Sequence, residues 1–505
     1  MSGSSRSPGI TAAAALVAVL TVLPLLVIGL RAGSGGWAEA VDFLVRPRVG
    51  ELLGNTGRLM LVTVPATVVI GVLAAWLVER TDLPWASGWR TLLLAPLAVP
   101  AFVSAYAWIS LAPAMTGFVG AALVTTLAYF PFVFLPVAAL LRALDGTDEE
   151  AARSLGLSPL RAVVRTVLPR LRPAISGGAL LVALHLLAEF GVLEMMRFQT
   201  FTTAIMQQYA VGFSDTAGSL LASVLVLLCL LVLTVEVVAR GRRRVSRIGG
   251  GAHRRAQPVA LGPWAGPSLL FLAVVVVLAL LVPVVMVLRW LLGGSQLAVA
   301  ADLLTVSLTT VGLAVLGGVV ATVLALPGAW LLDRGRTAAT LLLERVTFIA
   351  SALPGVVIAL ALVTLAVNWA LPLYQTVALL VLAYAILFLP RAMVSLRSGL
   401  AAAPPELTEA AQSLGARGPA AFVRVVLPQA APSVLTGFVL VALAISTELT
   451  ATLILAPTGT DTLALAFWSA SSVLDYRAAA PYAAVMILLS VPLTVLLRRQ
   501  ILEGR

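Results

Sequence analysis

Glu150-Ala151-Ala152-Arg153-Ser154-Leu155-Gly156 runs on to Val167-Leu168-Pro169 and Pro173. The same wording returns as Glu409-Ala410-Ala411-Gln412-Ser413-Leu414-Gly415, followed by Val426-Leu427-Pro428 and Pro432. Every matched pair is separated by 259 positions (409 − 150), and Arg165 and Arg424 share the same offset. A register held without gaps over so long a stretch indicates an internal duplication. The residues predict a specific local structure. Glu and two Ala favour a short helix, and small Ala side chains permit close approach by a second surface. Gly lets the chain turn at the helix end, and Leu-Pro stiffens the start of whatever follows.

Outward from these two stretches the chain is apolar. Of 505 residues, 60% are hydrophobic and 11% charged, with a mean hydropathy of +1.05. A bilayer core about 30 Å thick takes roughly 20 apolar residues per helix. Such runs recur near 9–30, 55–79, 91–113, 117–141, 174–194, 217–239, 266–292, 303–332, 346–368, 373–396, 433–455 and 478–498. The fold expected is therefore an all-α polytopic membrane protein of about twelve transmembrane helices in two homologous six-helix halves. Each repeated stretch falls between the fourth and fifth span of its half.

The net charge is +11, and all 33 basic residues are Arg. They gather in short segments between spans, which is a topology pattern and no face for nucleic acid. With the N-terminus inside, the outside keeps Arg31, Arg46, Arg48, Arg58, Arg197, Arg289 and Arg477, and every other Arg falls on the cytoplasmic side. Both termini are thus expected in the cytoplasm, and the first span is expected to be retained rather than cleaved. The Arg-, Gly- and Pro-rich stretch 241–265 reads as a cytoplasmic linker. The organisation expected is a first span and external loop in 1–50, then a core in 51–240 with its loop at 146–173. After the linker come a seventh span and external loop in 266–300, a second core in 301–498 with its loop at 405–432, and a tail in 499–505.

Several chemistries are excluded. A phosphate-binding Gly-Lys-Ser/Thr loop cannot exist in a chain without Lys, so any ATP hydrolysis belongs to another polypeptide and no cofactor is expected here. Cys229 is the single cysteine, so there is no internal disulfide and no cysteine metal cluster. With two His, His185 and His253, no catalytic constellation is legible.

The paired loops resemble the EAA motif of ABC importer permeases: Glu-Ala-Ala, a Gly after three further residues, then Leu-Pro. The resemblance covers nearly the whole chain and is nearest to fused permeases of the ferric-iron importer type, with thiamine permeases as neighbours. Ala95-Pro96-Leu97-Ala98-Val99-Pro100 and Ala352-Leu353-Pro354-Gly355 fit that group's third spans. Ala188-Glu189-Phe190-Gly191 and Thr447-Glu448-Leu449-Thr450-Ala451-Thr452 fit its fifth spans, and Pro457-Thr458-Gly459-Thr460-Asp461-Thr462 follows as in iron-type members. An additional span before each five-helix core departs from the pattern. The resemblance implies a permease in the bacterial inner membrane, two copies of an ATPase subunit and an extracytoplasmic solute-binding protein. It assigns ATPase coupling to Glu150, Ala151, Ala152, Gly156, Leu168 and Pro169, and to Glu409, Ala410, Ala411, Gly415, Leu427 and Pro428. The solute implied is ferric iron, with thiamine, polyamine or phosphonate as alternatives.

Ionisable residues at membrane depth are costly and point to function. Glu189 and Glu448, again 259 apart, each lie sixteen residues beyond the loop proline, roughly 24 Å along a helix. They are candidates for the translocation path, since carboxylates suit a hard trivalent cation. The alternative reading is that each caps a helix break near Gly191 or Thr450. For His185 an interhelical hydrogen bond is expected. A twelve-helix secondary transporter is the rival class. It predicts coupling charges deep in several spans and leaves the paired loops without a purpose.

Overall fold

The computed structural model describes residues 8–209, 215–240, 258–293, 299–334, 337–350, 353–401, 406, 410–411, 413–416, 420 and 422–503. Glu409, His253 and most of the linker lie outside the described residues. Among the described residues the chain is all-α, apart from an isolated bridge between Thr81 and Val259.

Besides two shorter ones, Trp37–Leu44 and Pro159–Ala162, the first-half helices are α1 Pro8–Gly33, α2 Pro47–Arg80, α3 Ala86–Leu94, α4 Ala101–Leu111, α5 Gly117–Tyr129, α6 Pro131–Ala143 and α7 Thr147–Ser154. They continue with α8 Leu168–Ala188, α9 Gly191–Met195, α10 Phe201–Gln207 and α11 Asp215–Arg240. The second half has α12 Ala265–Val276, α13 Val282–Leu292, α14 Val299–Arg334, α15 Ala338–Ala350, α16 Gly355–Trp369 and α17 Val377–Ala401. It ends with α18 Leu427–Ser446, α19 Thr450–Leu455, α20 Leu463–Ser472 and α21 Tyr476–Glu503.

Among the described residues, nine helices are long and apolar enough to cross a membrane, and they fall on nine of the twelve expected spans. The other three are the third, the ninth and the twelfth. The third span, expected as one helix over 91–113, is a pair bent by 91° between Ala86–Ala98 and Ala101–Leu111. Its cause is Pro100. The preceding Val99 is driven to an extended backbone (φ −98°, ψ 115°), because a residue before proline clashes in the helical region. In the ninth, Pro354 is extended (ψ 145°) at the start of α16, an apolar helix of 15 residues. The twelfth, α21, is a continuous helix of 28 residues.

The fifth spans also end earlier than expected. Helix α8 stops at Ala188 and α18 at Ser446, and α9 and α19 begin after breaks of two and three residues.

The compact units are not the two sequence halves. One unit comprises Met1–Arg46, Ala204–Val226 and Ser295–Val485, and the other Pro47–Thr203, Leu227–Gly294 and Met486–Arg505. The first unit has α14, α17 and α18 as its packed centre, with α1 lying against α14, α15 and α16. In the second, α2, α6 and α8 form the equivalent centre, and α12 and α13 pack on α3 and α4 respectively. Each half therefore contributes its extra first span to the unit built around the other half's core.

Close backbone approach holds both centres together. A Cβ at Gly178 of α8 would stand 2.8 Å from the Val133 Cα of α6. Its repeat partner Gly437 of α18 is equally tight, with the Ser395 Cβ of α17 at 2.7 Å. In lipid, where the hydrophobic effect does not drive helices together, such small-residue contacts supply the packing.

Candidate functional site

The repeated loops carry the same geometry wherever both are described. In the first, α7 holds Glu150, Ala151 and Ala152. Its end is closed by the Gly156 amide donating to the Arg153 carbonyl (3.0 Å) and the Leu157 amide to the Ala152 carbonyl (3.2 Å). This is a Schellman cap, which needs a left-handed residue after the helix, and Gly156 supplies it with φ +87°. In the second, Leu414 donates to Ala410 (3.1 Å) and Ala416 to Ala411 (3.0 Å), with Gly415 at φ +90°. The expected turning role of both glycines is thus what the backbone displays.

The Leu-Pro step also acts twice alike. A π-helical turn, Val163–Val167, precedes Leu168, and its counterpart Phe422–Val426 precedes Leu427. Proline has no N–H to donate, and its ring would strike the carbonyl four residues back in a regular helix. The wider turn relieves that clash at Pro169 and Pro428, and lets α8 and α18 continue from the loops without a break.

Glu150, Ala151, Gly156, Ala410, Gly415 and Pro428 are exposed, whereas Ala152 is buried. Beside the glycines stand Leu155 and Leu414, 86% and 89% exposed and related by the same repeat offset. Sequence reasoning passed over them because leucine in so apolar a chain carries no signal of its own. What could have found them is their place in the repeat, between the short helix and its glycine.

Charged side chains hold the roots of the loops. Glu79, at the end of α2, accepts from Arg90 Nε (2.5 Å) and Nη2 (3.0 Å), and Arg142 Nε lies 3.6 Å away. Arg80 pairs with Glu149 of α7 at 3.8 Å. In the second half Arg397 of α17 donates to Glu344 of α15.

Glu189 and Glu448 stand at the breaks that end α8 and α18. Glu189 Oε1 accepts the Val192 amide at 2.9 Å, and Glu448 Oε1 accepts the Ala451 amide at the same distance. Each therefore caps the short helix that follows. Thr202 and Thr452 donate their hydroxyls to the two Glu carbonyls, at 2.6 and 2.7 Å. The surroundings then diverge. Tyr129 donates its hydroxyl to Glu189, while the ring of His185 lies 4.4 Å from that of Phe132 and 5.7 Å from that of Tyr129.

At the matching positions the second half has Phe388 for Tyr129, Ala444 for His185 and Arg391 for Phe132. Arg391 interacts electrostatically with Glu448, and its guanidinium sits 5.2 Å from the Phe388 ring. The two carboxylates are thus equivalent as caps but not as charges. Arg391 was grouped with cytoplasmic helix ends by sequence. It lies ten residues before the end of α17, about 15 Å inward. His185 Nδ1 donates to the Leu181 carbonyl of its own helix at 2.8 Å. Cys229 is free and buried. Among the described residues there is no group of three or more His, Cys, Asp and Glu placed to hold a metal ion.

Comparison with known proteins gives a family match in both halves. The model described as "Binding-protein-dependent transport system inner membrane component" matches residues 67–246 and 321–501. The chain is 36% identical over 481 residues to "Fe(3+)-transport system permease protein FbpB 2" of Haemophilus influenzae, covering 94% of this chain and 95% of that one. It is 26% identical over 234 residues to "Sulfate transport system permease protein CysW" of Escherichia coli, covering 43% of this chain and 80% of the relative. The corresponding CysT protein of Salmonella typhimurium is 28% identical over 238 residues, 43% of this chain and 86% of its own length.

Proposed function

The chain belongs to the family of binding-protein-dependent transport system inner membrane components, and from that premise we propose that it conducts ferric iron across the inner membrane. It is a multi-pass permease of an ABC importer, a transport subunit and not an enzyme. Iron is the solute best supported because the likeness to the Fe(3+) permease runs through both halves and nearly the full length of each chain. The sulfate permeases match less than half of it.

In this reading each loop docks one copy of an ATPase, two per chain, and ATP is consumed there rather than by this polypeptide. Support comes from the same glycine turn in both loops, each beside an exposed leucine. An extracytoplasmic binding protein delivers the ion. Both termini are cytoplasmic, in line with the Arg distribution. Glu189 and Glu448 line the path near its outer mouth, and Glu189, free of an opposing arginine at its repeat-matched position, is the better placed to meet a cation. Helix motion starts at the loops. A tilt of α7 passes through the π turn into α8, on whose far end Glu189 sits.

The test is uptake by proteoliposomes containing permease, ATPase and binding protein. ATP-dependent accumulation of ferric iron is expected, with two ATPase chains per permease by native mass spectrometry. Accumulation of thiamine, a polyamine, a phosphonate or sulfate in place of iron would refute the solute assignment.

A further inference from the structure

Arg80 is the last residue of α2, and only 3% of its surface is exposed. None of its three guanidinium nitrogens makes a hydrogen bond, and the charge faces Glu149 of α7 across 3.8 Å. Asp145, Thr166 and Arg170 complete the polar lining of the small cavity between them. Burying a cation with so few partners is unfavourable, and fold stability alone gives no reason for it, since an apolar residue would serve as well.

The backbone at the same point is fixed on another side. The Arg80 carbonyl accepts the Val259 amide at 2.8 Å, the Asp82 amide donates to the Val259 carbonyl at 3.2 Å, and the Asp82 carboxylate accepts the Leu261 amide at 2.9 Å. Helix ends ordinarily fray, but this one is tied to the segment that leads into α12. A force applied to Arg80 therefore moves α2 as a body instead of unwinding its last turn. The run Ala75-Trp76-Leu77-Val78-Glu79-Arg80 that ends α2 returns as Ala329-Trp330-Leu331-Leu332-Asp333-Arg334 at the end of α14, so an Arg closes both helices, while the position matching Glu149 in the repeated loop is Thr408.

We propose that the Arg80–Glu149 pair is the contact through which displacement of the first loop is delivered to α2. This inference rests on the reading of the loops as ATPase docking sites. In it, Arg80 and Glu149 are positioning residues that touch neither solute nor nucleotide. Loop displacement reaches the first core by two routes, along the backbone into α8 and through this pair into α2.

The experiment reads ions transported per ATP hydrolysed in the reconstituted importer, with the ATPase copurified. Glu149→Gln is expected to lower that ratio by about fivefold or more, the low end of a coupling free energy between sites. ATPase association and ATP turnover should be retained. Arg80→Lys should lie nearer the wild type, and the exchange Arg80→Glu with Glu149→Arg should recover part of the loss. An unchanged ratio in Glu149→Gln overturns the proposal. So does a parallel fall in ATPase association, which would make Glu149 a docking residue. Where Glu149→Gln fails to accumulate in the membrane, Arg80→Lys and the exchange are compared with each other. Equal ratios in these two variants, both at the wild-type value, then overturn it. A wild-type complex showing no ATP-dependent uptake would instead defeat the importer reading on which the variants depend.

Discussion

The carboxylate of Glu448 accepts the Ala451 amide at 2.9 Å and so starts the helix that follows the break in the eleventh span. Glu189 does the same for Val192. A Gln keeps the acceptor oxygen and removes the charge, whereas Ala removes both. Glu448→Ala should therefore cost about 1 kcal/mol, as loss of a helix cap does, and Glu448→Gln much less. Thermal unfolding in nanodiscs measures the difference. Equal destabilisation by Ala and Gln would show that charge and not capping holds the break.

The same pair of substitutions separates structure from transport. If Glu189 meets the ion, Glu189→Gln should lower iron uptake by tenfold or so while the fold is kept, equivalent to about 1.4 kcal/mol of lost interaction. Glu448→Gln should have a smaller effect, because Arg391 already offsets that carboxylate. Uptake at limiting iron is the measurement, and the reverse ranking would remove Glu189 from the path.

Gly156 and Gly415 adopt φ values of +87° and +90°. Any L-residue there is strained by roughly 1–2 kcal/mol. Gly156→Val with Gly415→Val is expected to leave the protein in the membrane but to abolish most transport, since the short helices no longer end at the right angle. Membrane content by immunoblot and uptake in the same vesicles provide the check. Wild-type uptake by the double variant would contradict it.

Leu155 and Leu414 expose almost their entire side chains. An apolar side chain fully buried at an interface contributes about 1.5–3 kcal/mol. Leu155→Asp and Leu414→Asp should each weaken ATPase binding tenfold or more without altering thermal stability. Binding of detergent-solubilised permease to immobilised ATPase reads the first effect, and a melting curve reads the second.

Gly178 approaches Val133 so closely that even one methyl group meets backbone. Gly178→Leu should separate α8 from α6 and cost about 1–3 kcal/mol through overpacking, with a comparable loss for Gly437→Leu. Thermal unfolding again measures it. A neutral result at either site would mean that the helices are held apart from one another by something other than these contacts.

Much of this was legible in the residues. The repeat offset located both loops, and the glycines and prolines within them announced the turn and the stiffened start that the backbone displays. Spans were legible because lipid forces each to satisfy its own hydrogen bonds, leaving long apolar runs. Breaks at Val99, Glu189 and Thr447 were not, because hydropathy is blind to a kink: a bent pair and a straight helix have the same composition. Nor did sequence reveal that α1 packs on α14, α15 and α16, since an apolar helix face carries little record of which neighbour covers it. The difference between Glu189 and Glu448 depends on residues of other helices, Tyr129 and Arg391, whose relevance emerges only when the helices are side by side.

The exchange of first spans also governs how the protein is made. Helix α1 leaves the ribosome well before α14, α15 and α16, the helices it packs against. During that interval it sits in lipid with its packing face uncovered, while the whole first core is inserted. Contacts between parts so remote in sequence form late and slowly. Truncating the gene after the first half would therefore leave one core without α12 and α13 and strand α1 with no partner. Quality-control proteases that recognise unassembled helices should clear such a fragment quickly, and coexpression of the missing half should extend its lifetime in a pulse-chase experiment.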